Sequence, residues 1–158
     1  MGYVDGMSMY AAYFVPTGVD PTGMGCQCGE AFTAICAVGP IDAYTANELA
    51  NEASAAARAT GLPGIRNGQA DAFRHCFWSC RMAQQIGSDQ AKKIGDIHEE
   101  CRSGPAGETA MDLANNASGR ALGVPGADCS AGCLGAVAAG SLVTTPPVGA
   151  TTGTVYYY

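Results

Sequence analysis

Basic side chains are scarce in this chain. Its 158 residues include 8 Lys and Arg against 14 Asp and Glu, which gives a formal net charge of -6 and a pI of about 4.6. Binding to a nucleic-acid backbone requires clustered Lys and Arg that neutralise phosphates, and here they are scattered along the sequence. A nucleic-acid partner is therefore unlikely, although Arg74 and Arg81 leave room for a small basic pocket.

Long apolar segments are also missing from the sequence. No stretch approaches the ~20 apolar residues of a membrane span, and residues 1–16 lack the basic start and unbroken apolar run of a secretory signal. We therefore expect no membrane span and an export route that depends on an upstream segment or on dedicated machinery. The composition is 47% hydrophobic and 14% charged, with 22 Gly and 8 Pro, and it predicts one folded domain with irregular ends.

Cysteine, by contrast, is abundant, with eight residues in the chain. Such a content favours disulfides and an oxidising destination, so we expect a secreted, extracellular or cell-envelope protein. Cys76 and Cys80 repeat the CxxxC spacing of Cys129 and Cys133, so the two pairs either bridge facing helices or are small buried apolar residues. A zinc site is less well supported, because no second pair matches the CxC of residues 26–28. The disulfide candidates are Cys26, Cys28, Cys36, Cys76, Cys80, Cys101, Cys129 and Cys133.

The periodicity of apolar residues predicts a mainly α fold, a compact bundle of four to five helices with disulfides. A capping box formed by Thr45 and Glu48 begins one helix, which runs to Ala59. Further helices are expected from Asn67 or Gln69 to Ile86, from Ser88 to Cys101 and from about Ala106 to Leu122. The apolar stretch AFTAICAV is left open between helix and strand.

Changes in composition divide the chain into four parts. Residues 1–25 form a short β-like segment, residues 26–40 a Cys- and Gly-bearing connector, residues 41–134 the helical domain and residues 135–158 an extended tail. The tail carries no charge and ends in three tyrosines. The tail is either a flexible end or an extended strand that packs on a neighbour. Uncharged β-forming segments favour strand pairing, so we expect contact with a partner or self-association with another copy of the chain through this tail.

Both histidines and the single tryptophan lie between Asp71 and Arg120. Helical spacing puts Asp71, His75 and Trp78 on one side of the second predicted helix. It also places His98 beside Glu99 and aligns Glu108, Asp112 and Asn116 along another helix. We expect these three strips to converge on one cleft.

Two chemistries suit these residues. In the first, His75 is a general base held by Asp71 or Asp112, and it activates water against an ester, amide or phosphodiester bond. His98 or Arg74 would then stabilise the developing negative charge.

In the second chemistry, His75, His98 and Asp112, with Glu99 as a further candidate, bind one divalent metal; we favour the route without a cofactor, because no helical zinc signature is present. No motif frames a serine nucleophile. The competing interpretation is a non-catalytic, disulfide-stapled structural or interaction module in which the polar residues only fix helix packing.

The N-terminal residues resemble a known element. Asp5, Gly6, Met9 and Tyr10, followed by the DPTG of residues 20–23, resemble the end of an RHS core, the YD-repeat shell of bacterial surface and toxin proteins. In that family the DPxG element marks the border between the shell and a variable C-terminal domain. The resemblance implies an upstream RHS shell and an effector domain with an immunity protein as a partner.

The central motifs ADAFRHCFW, DIHEE and MDLANNASGR are similar to a helical domain at the C-termini of bacterial secreted and toxin-like proteins. That family shows an NGxADAFRHxxW…HE…MDLxNNxxGR pattern. The resemblance carries over a set of ten positions and implies no particular reaction. By their chemistry, we take the catalytic candidates of this set to be His75, Asp71, His98, Asp112 and Glu99. Its substrate-binding candidates are Arg74, Trp78, Asn115, Asn116 and Arg120.

Overall fold

The computed structural model describes residues 29–102 and 104–148, and this part of the chain is helical without any strand. Its elements are α1 (Glu30–Val38), α2 (Pro40–Ala59), α3 (Gln69–Ile86), α4 (Ser88–Cys101), α5 (Ala106–Leu122) and α6 (Cys129–Ala138). The predicted mainly α bundle with disulfides is confirmed. The RHS-like residues 1–25 and the tail beyond residue 148 lie outside the described residues.

Helix α3 is the centre of the bundle, and α2, α4, α5 and α6 all pack against it. Its buried side chains cover most of its circumference, from Phe73 and Phe77 on one side to His75 and Trp78 on another. A helix buried on nearly every side must satisfy its polar groups inside the protein. The polar side chains of α3 are therefore expected to find their partners on the helices that surround it.

Small residues allow the helices to approach closely. The buried alanines of α2 recur at intervals of three and four residues, which forms one stripe along the helix; they are Ala43, Ala46, Ala50, Ala53 and Ala57. On α5, a Cβ added to Gly119 would lie 2.1 Å from the carbonyl oxygen of Cys76. The backbones of α3 and α5 are thus in direct contact at this glycine.

Two disulfides join α3 to α6. They link Cys76 to Cys133 and Cys80 to Cys129, with sequence separations of 57 and 49 residues. The pairing between the two CxxxC motifs is therefore confirmed. Cys101 is also disulfide-bonded, whereas Cys36, one of the candidates, is a free thiol on the exposed surface of α1.

One helix start differs from the sequence expectation. Helix α2 begins at Pro40 and not at a capping box, because Pro suits the first helical position; the Thr45 hydroxyl instead donates to the Ile41 carbonyl inside the helix. The apolar stretch within the 26–40 connector forms α1, and α6 runs four residues past position 134.

Residues 139–148 follow α6 without regular structure and return to α5. The buried side chain of Asn115 donates to the carbonyl of Val143 at 2.8 Å and accepts from its N–H at 2.9 Å. This paired contact holds the segment against α5 as a neighbouring strand would. Among the described helices, none combines the length and apolarity that crossing a membrane requires.

Candidate functional site

An open cleft of about 460 Å³ lies where α3, α4 and α5 meet. All five catalytic candidates, Asp71, His75, His98, Glu99 and Asp112, line it together with Arg74. Its remaining walls come from the loop before α3, from the end of α4 and from the first turn of α5: Ile65, Arg66, Asn67, Arg102, Gly104, Glu108 and Thr109. The expected convergence of catalytic candidates from three helices on one cleft is therefore what the structure contains.

His75 lies at the centre of this cluster with a side chain that is 2% exposed. Its Nε2 is 3.5 Å from Oδ1 of Asp112 and 3.7 Å from Oδ1 of Asp71. On the other side of the ring, Nδ1 is 3.8 Å from Oε1 of Glu99, and among the described residues neither atom has a partner at ordinary hydrogen-bond distance. One imidazole thus has carboxyl groups at both of its nitrogens.

Arg74 places a positive charge inside the same cluster. Its Nη2 donates to Oδ1 of Asp71 and lies 3.1 Å from Nε2 of His75. Asp71 also accepts a 2.7 Å hydrogen bond at Oδ2 from the backbone N–H of Asn67. The Asp71 carboxylate is therefore held from both sides, while Oδ1 of Asp112 is buried and has no donor within residues 29–102 and 104–148.

The environment of the cleft shifts the pKa values of His75 and Glu99 in opposite directions. Burial, followed by the charges of Arg74 and His98, lowers the pKa of His75 well below its ordinary value, so the imidazole is neutral at pH 7. Burial, followed by the charge of Asp112, raises the pKa of Glu99 to about 9. A neutral imidazole next to a protonated carboxyl gives one group that can accept a proton and one that can donate.

The two aspartates of the cluster differ in their surroundings. Burial, followed by the negative charge of Asp71, raises the pKa of Asp112 to about 7. Burial also raises the pKa of Asp71, although the Arg74 charge and the Asn67 N–H oppose the shift. Groups with perturbed pKa values in a cleft are typical of functional sites.

His98 occupies the far wall of the cleft and is tied to α1. Its Nδ1 lies 2.6 Å from Oε1 of Glu30, and Nε of Arg102 donates to Oε2 of the same carboxylate at 3.0 Å. The His98 ring also packs edge-on against Trp78, at 5.3 Å between ring centroids. His98 is thus engaged by its neighbours and sits 6.3 Å from the His75 ring.

Four of the five substrate-binding candidates do not line the cleft; only Arg74 does. Trp78 is buried and donates to the Ala46 carbonyl at 2.9 Å. Asn115 holds Val143, and Asn116 accepts from the Ser79 hydroxyl at 3.0 Å. Arg120 lies away from the cleft wall, and desolvation lowers its pKa. These placements favour roles in packing, although the Asn116 side chain is also close enough to His75 to raise the pKa of that imidazole.

Other residues at the site carried no clear signal in the sequence. Asn67 adopts a left-handed φ of 56°, and its Nδ2 donates to Oε1 of Glu108 at 2.7 Å. The Asn67-Gly68 dipeptide is a turn signal that could have indicated this conformation. Glu30 had no such signal, because its partners His98 and Arg102 are 68 and 72 residues away.

A family model described as "Domain of unknown function (DUF6973)" matches residues 33–132. This range includes every residue that lines the cleft. No solved structure matches the chain. Because the match covers more than half of the 158 residues, the chain belongs to this family, the Domain of unknown function (DUF6973).

Proposed function

We propose that the chain is a hydrolase in which His75 is the general base that activates water. The observation that carries this proposal is the meeting of His75, its flanking carboxyl groups and Arg74 in a single open cleft. A buried imidazole that is neutral at pH 7 and has its Nε2 among carboxylates is suited to take a proton from water. The substrate class is an ester, an amide or a phosphodiester.

The chemistry follows from the positions of the charged groups. Water attacks the electrophilic carbon or phosphorus and its proton passes to Nε2 of His75. The bond to the leaving group then breaks, and the imidazolium of His75 returns this proton to the leaving group. Asp112 and Asp71, at 3.5 and 3.7 Å from Nε2, stabilise the imidazolium that forms. Arg74 must withdraw from Nε2 before the ring can accept a proton, and its guanidinium is then free to bind the negatively charged oxygen.

The biological setting that we propose is an effector or toxin domain that acts outside the producing cytoplasm. The disulfides between α3 and α6 support an oxidising destination. The resemblance of residues 1–25 to the end of an RHS core supports delivery as the C-terminal part of a larger secreted protein. An immunity protein would then protect the producing cell by covering the cleft.

A direct test measures hydrolysis of three chromogenic or fluorogenic substrates: a p-nitrophenyl ester, bis-p-nitrophenyl phosphate and a labelled protein. We expect turnover of one class and a loss of about 100-fold or more in kcat for His75→Gln. The matched control is Glu52→Gln, which removes a charge from a surface ion pair with Arg81. If His75→Gln retains full activity, His75 is not the base.

A second test places the chain in the cytoplasm or the periplasm of a host cell. The proposal predicts growth inhibition in one compartment that His75→Gln abolishes while Glu52→Gln does not. A wild-type chain that hydrolyses none of the substrates and harms neither compartment would favour the competing structural module. Thermal unfolding of each variant shows whether a lost effect reflects lost folding.

A further inference from the structure

Three potential ligand atoms converge beside His75. They are Oδ1 of Asp71, Nε2 of His75 and Oδ1 of Asp112, and all lie within 4.8 Å of one another. The two aspartates lie on different helices, α3 and α5, so the group is set by tertiary packing and not by one helical turn. Its open side faces the cleft, from which an ion and its water can enter.

The surroundings orient these atoms toward one point. The N–H of Asn67 holds Oδ2 of Asp71 and leaves Oδ1 facing His75. On the far side of the ring, Nδ1 of His75 and Oε1 of Glu99 lie 3.8 Å apart, and both side chains are more than nine-tenths buried, at 2% and 8% exposed. A carboxyl group behind a histidine is the usual outer support of a metal-bound imidazole.

The guanidinium of Arg74 contacts only two of the three potential ligand side chains. Nη2 of Arg74 contacts Asp71 and His75, but Oδ1 of Asp112 has no donor among the described residues. Nε of Arg74 is itself buried and has no partner in the part of the chain that the structure describes. A buried carboxylate oxygen and a buried guanidinium N–H that both lack partners are costly, and both could be relieved if a different cation bound and the arginine moved.

We infer that Asp71, His75 and Asp112 form a binding site for one divalent cation of the zinc and manganese class, which displaces the guanidinium of Arg74. One imidazole nitrogen and two carboxylate oxygens suit these ions, whereas Ca²⁺ requires six to eight oxygen ligands. Three protein ligands with an open fourth position are typical of catalytic sites and not of structural ones. His98, included in the ligand set expected from the sequence, is instead bonded to Glu30.

The inference goes beyond the proposed hydrolysis, because cation binding can be measured on a chain that hydrolyses nothing. Cation binding and hydrolysis are nevertheless linked, because both involve Nε2 of His75. A cation and a proton compete for the Nε2 lone pair, so a bound cation would inhibit a reaction in which His75 itself takes the proton. It would support hydrolysis only if cation-bound water replaced the imidazole as the base.

The test is calorimetric titration of the full chain with ZnCl₂ and with MnCl₂, with thermal unfolding followed in parallel. Cys36→Ser is the background for zinc, because the exposed thiol of Cys36 is a competing ligand. We expect one cation per chain and a higher unfolding temperature with the cation. His75→Gln and Asp112→Asn should each weaken binding by at least about tenfold.

Arg74→Gln is the decisive variant, because removal of the resident positive charge should tighten cation binding by at least about tenfold. Arg81→Gln is its matched control, since this arginine lies on the same helix outside the cleft, pairs with Glu52 and should leave the affinity unchanged. The inference is overturned if neither cation binds to the folded wild-type chain, or if His75→Gln and Asp112→Asn bind as well as wild type. It is also overturned if Arg74→Gln weakens binding.

Adding EDTA to any hydrolysis reaction that is found distinguishes a failure of the proposed His75 base from a failure of the proposed cation site. Activity that persists in EDTA and falls when ZnCl₂ is added supports both His75 as the base and the cation site. Activity that is lost in EDTA and restored by the cation supports the cation site and refutes the imidazole as the base. Activity that is indifferent to both, with no binding by calorimetry, refutes the cation site alone.

Discussion

At the scale of single residues, Gly119 has no side chain, and this allows α5 to pack directly against the backbone of α3. A Cβ at this position would lie 2.1 Å from the carbonyl oxygen of Cys76, which is backbone and cannot rotate away. Gly119→Ala must therefore push α5 away from α3, and we expect a loss of about 3 kcal/mol in the free energy of unfolding. Urea denaturation followed by circular dichroism measures the change.

Gly135→Ala is the matched control for this substitution. Gly135 lies within α6, and an added Cβ there meets no atom within 4 Å. Because Ala has the higher helix propensity, this change should stabilise the chain by up to about 1 kcal/mol. If the two variants had equal stability, the close contact between α3 and α5 would be refuted.

Helical spacing predicted which side of each helix faces the cleft, but it did not predict which residues along that side reach it. Asp71 and His75 were expected on one side of a helix and do face the same cleft, but Trp78 on the same strip bonds the Ala46 carbonyl of α2. On α5, Asp112 faces the cleft whereas Asn116, one turn further along, is buried against Ser79. Periodicity gives the side of a helix, while the neighbouring helices decide which turns along that side reach the open space.

At the scale of helices, the boundaries of α3, α4 and α5 could be predicted because strong local signals mark them. Gly87 lies between α3 and α4, Pro105 precedes α5, and Gly123 follows it. Helix α1 lacked such a signal, because nine residues of mostly apolar character fit either a short helix or a strand. For α2, a plausible capping box competed with Pro40, and the proline determined the start.

The disulfides between α3 and α6 provide the main prediction at this scale. They are nested, with sequence separations of 57 and 49 residues. While one bridge is intact, the other closes a further ring of only about ten residues and should stabilise the fold by about 3 kcal/mol through the reduced entropy of the unfolded chain. We expect Cys76→Ala with Cys133→Ala, and separately Cys80→Ala with Cys129→Ala, to lower the free energy of unfolding by this amount. Denaturant unfolding at constant pH measures it.

Cys36→Ala controls for the loss of a sulfur atom, because Cys36 is an exposed free thiol and its replacement should change stability by less than about 0.5 kcal/mol. Equal stability of the paired variants and this control would mean that the bridges between α3 and α6 do not restrain the unfolded chain. His75 shares α3 with both bridged cysteines. The bridges are therefore also expected to fix the helix that carries the proposed base.

At the scale of the whole molecule, the convergence of α3, α4 and α5 on one cleft could be predicted from the sequence. Each of these helices carries a strip of polar residues that is unusual for an ordinary solvent-exposed face. The contribution of α1 could not be foreseen. Glu30 bonds His98 and Arg102 from 68 and 72 residues away, and no periodicity within one helix encodes a pairing over such a distance. Packing of the whole chain, and not local pattern, brings this carboxylate to the end of α4.

This long-range contact makes stability depend on pH in a defined direction. Burial alone would raise the pKa of Glu30, but the hydrogen bond and charge of His98, together with the charge of Arg102, outweigh burial and lower it. A carboxyl whose pKa is lower in the folded state stabilises the fold above its unfolded value of about 4.5, and this contribution is lost as pH falls through the folded pKa. The fold should therefore lose part of its stability in acid because α1 loses its ionic contact with α4.

Glu30→Gln isolates this effect, since it removes the charge and keeps the shape. At pH 7 we expect the variant to be less stable than wild type by about 2 kcal/mol, the size of a hydrogen bond to a charged group. The difference should narrow as pH falls below about 4.5, because wild-type Glu30 then becomes neutral as well. Glu48→Gln on the exposed surface of α2 is the control and should follow the wild-type curve throughout. Urea unfolding at a series of pH values measures all three chains, and a Glu30→Gln deficit that stays constant or grows in acid would show that α1 is held to α4 by contacts other than this carboxylate.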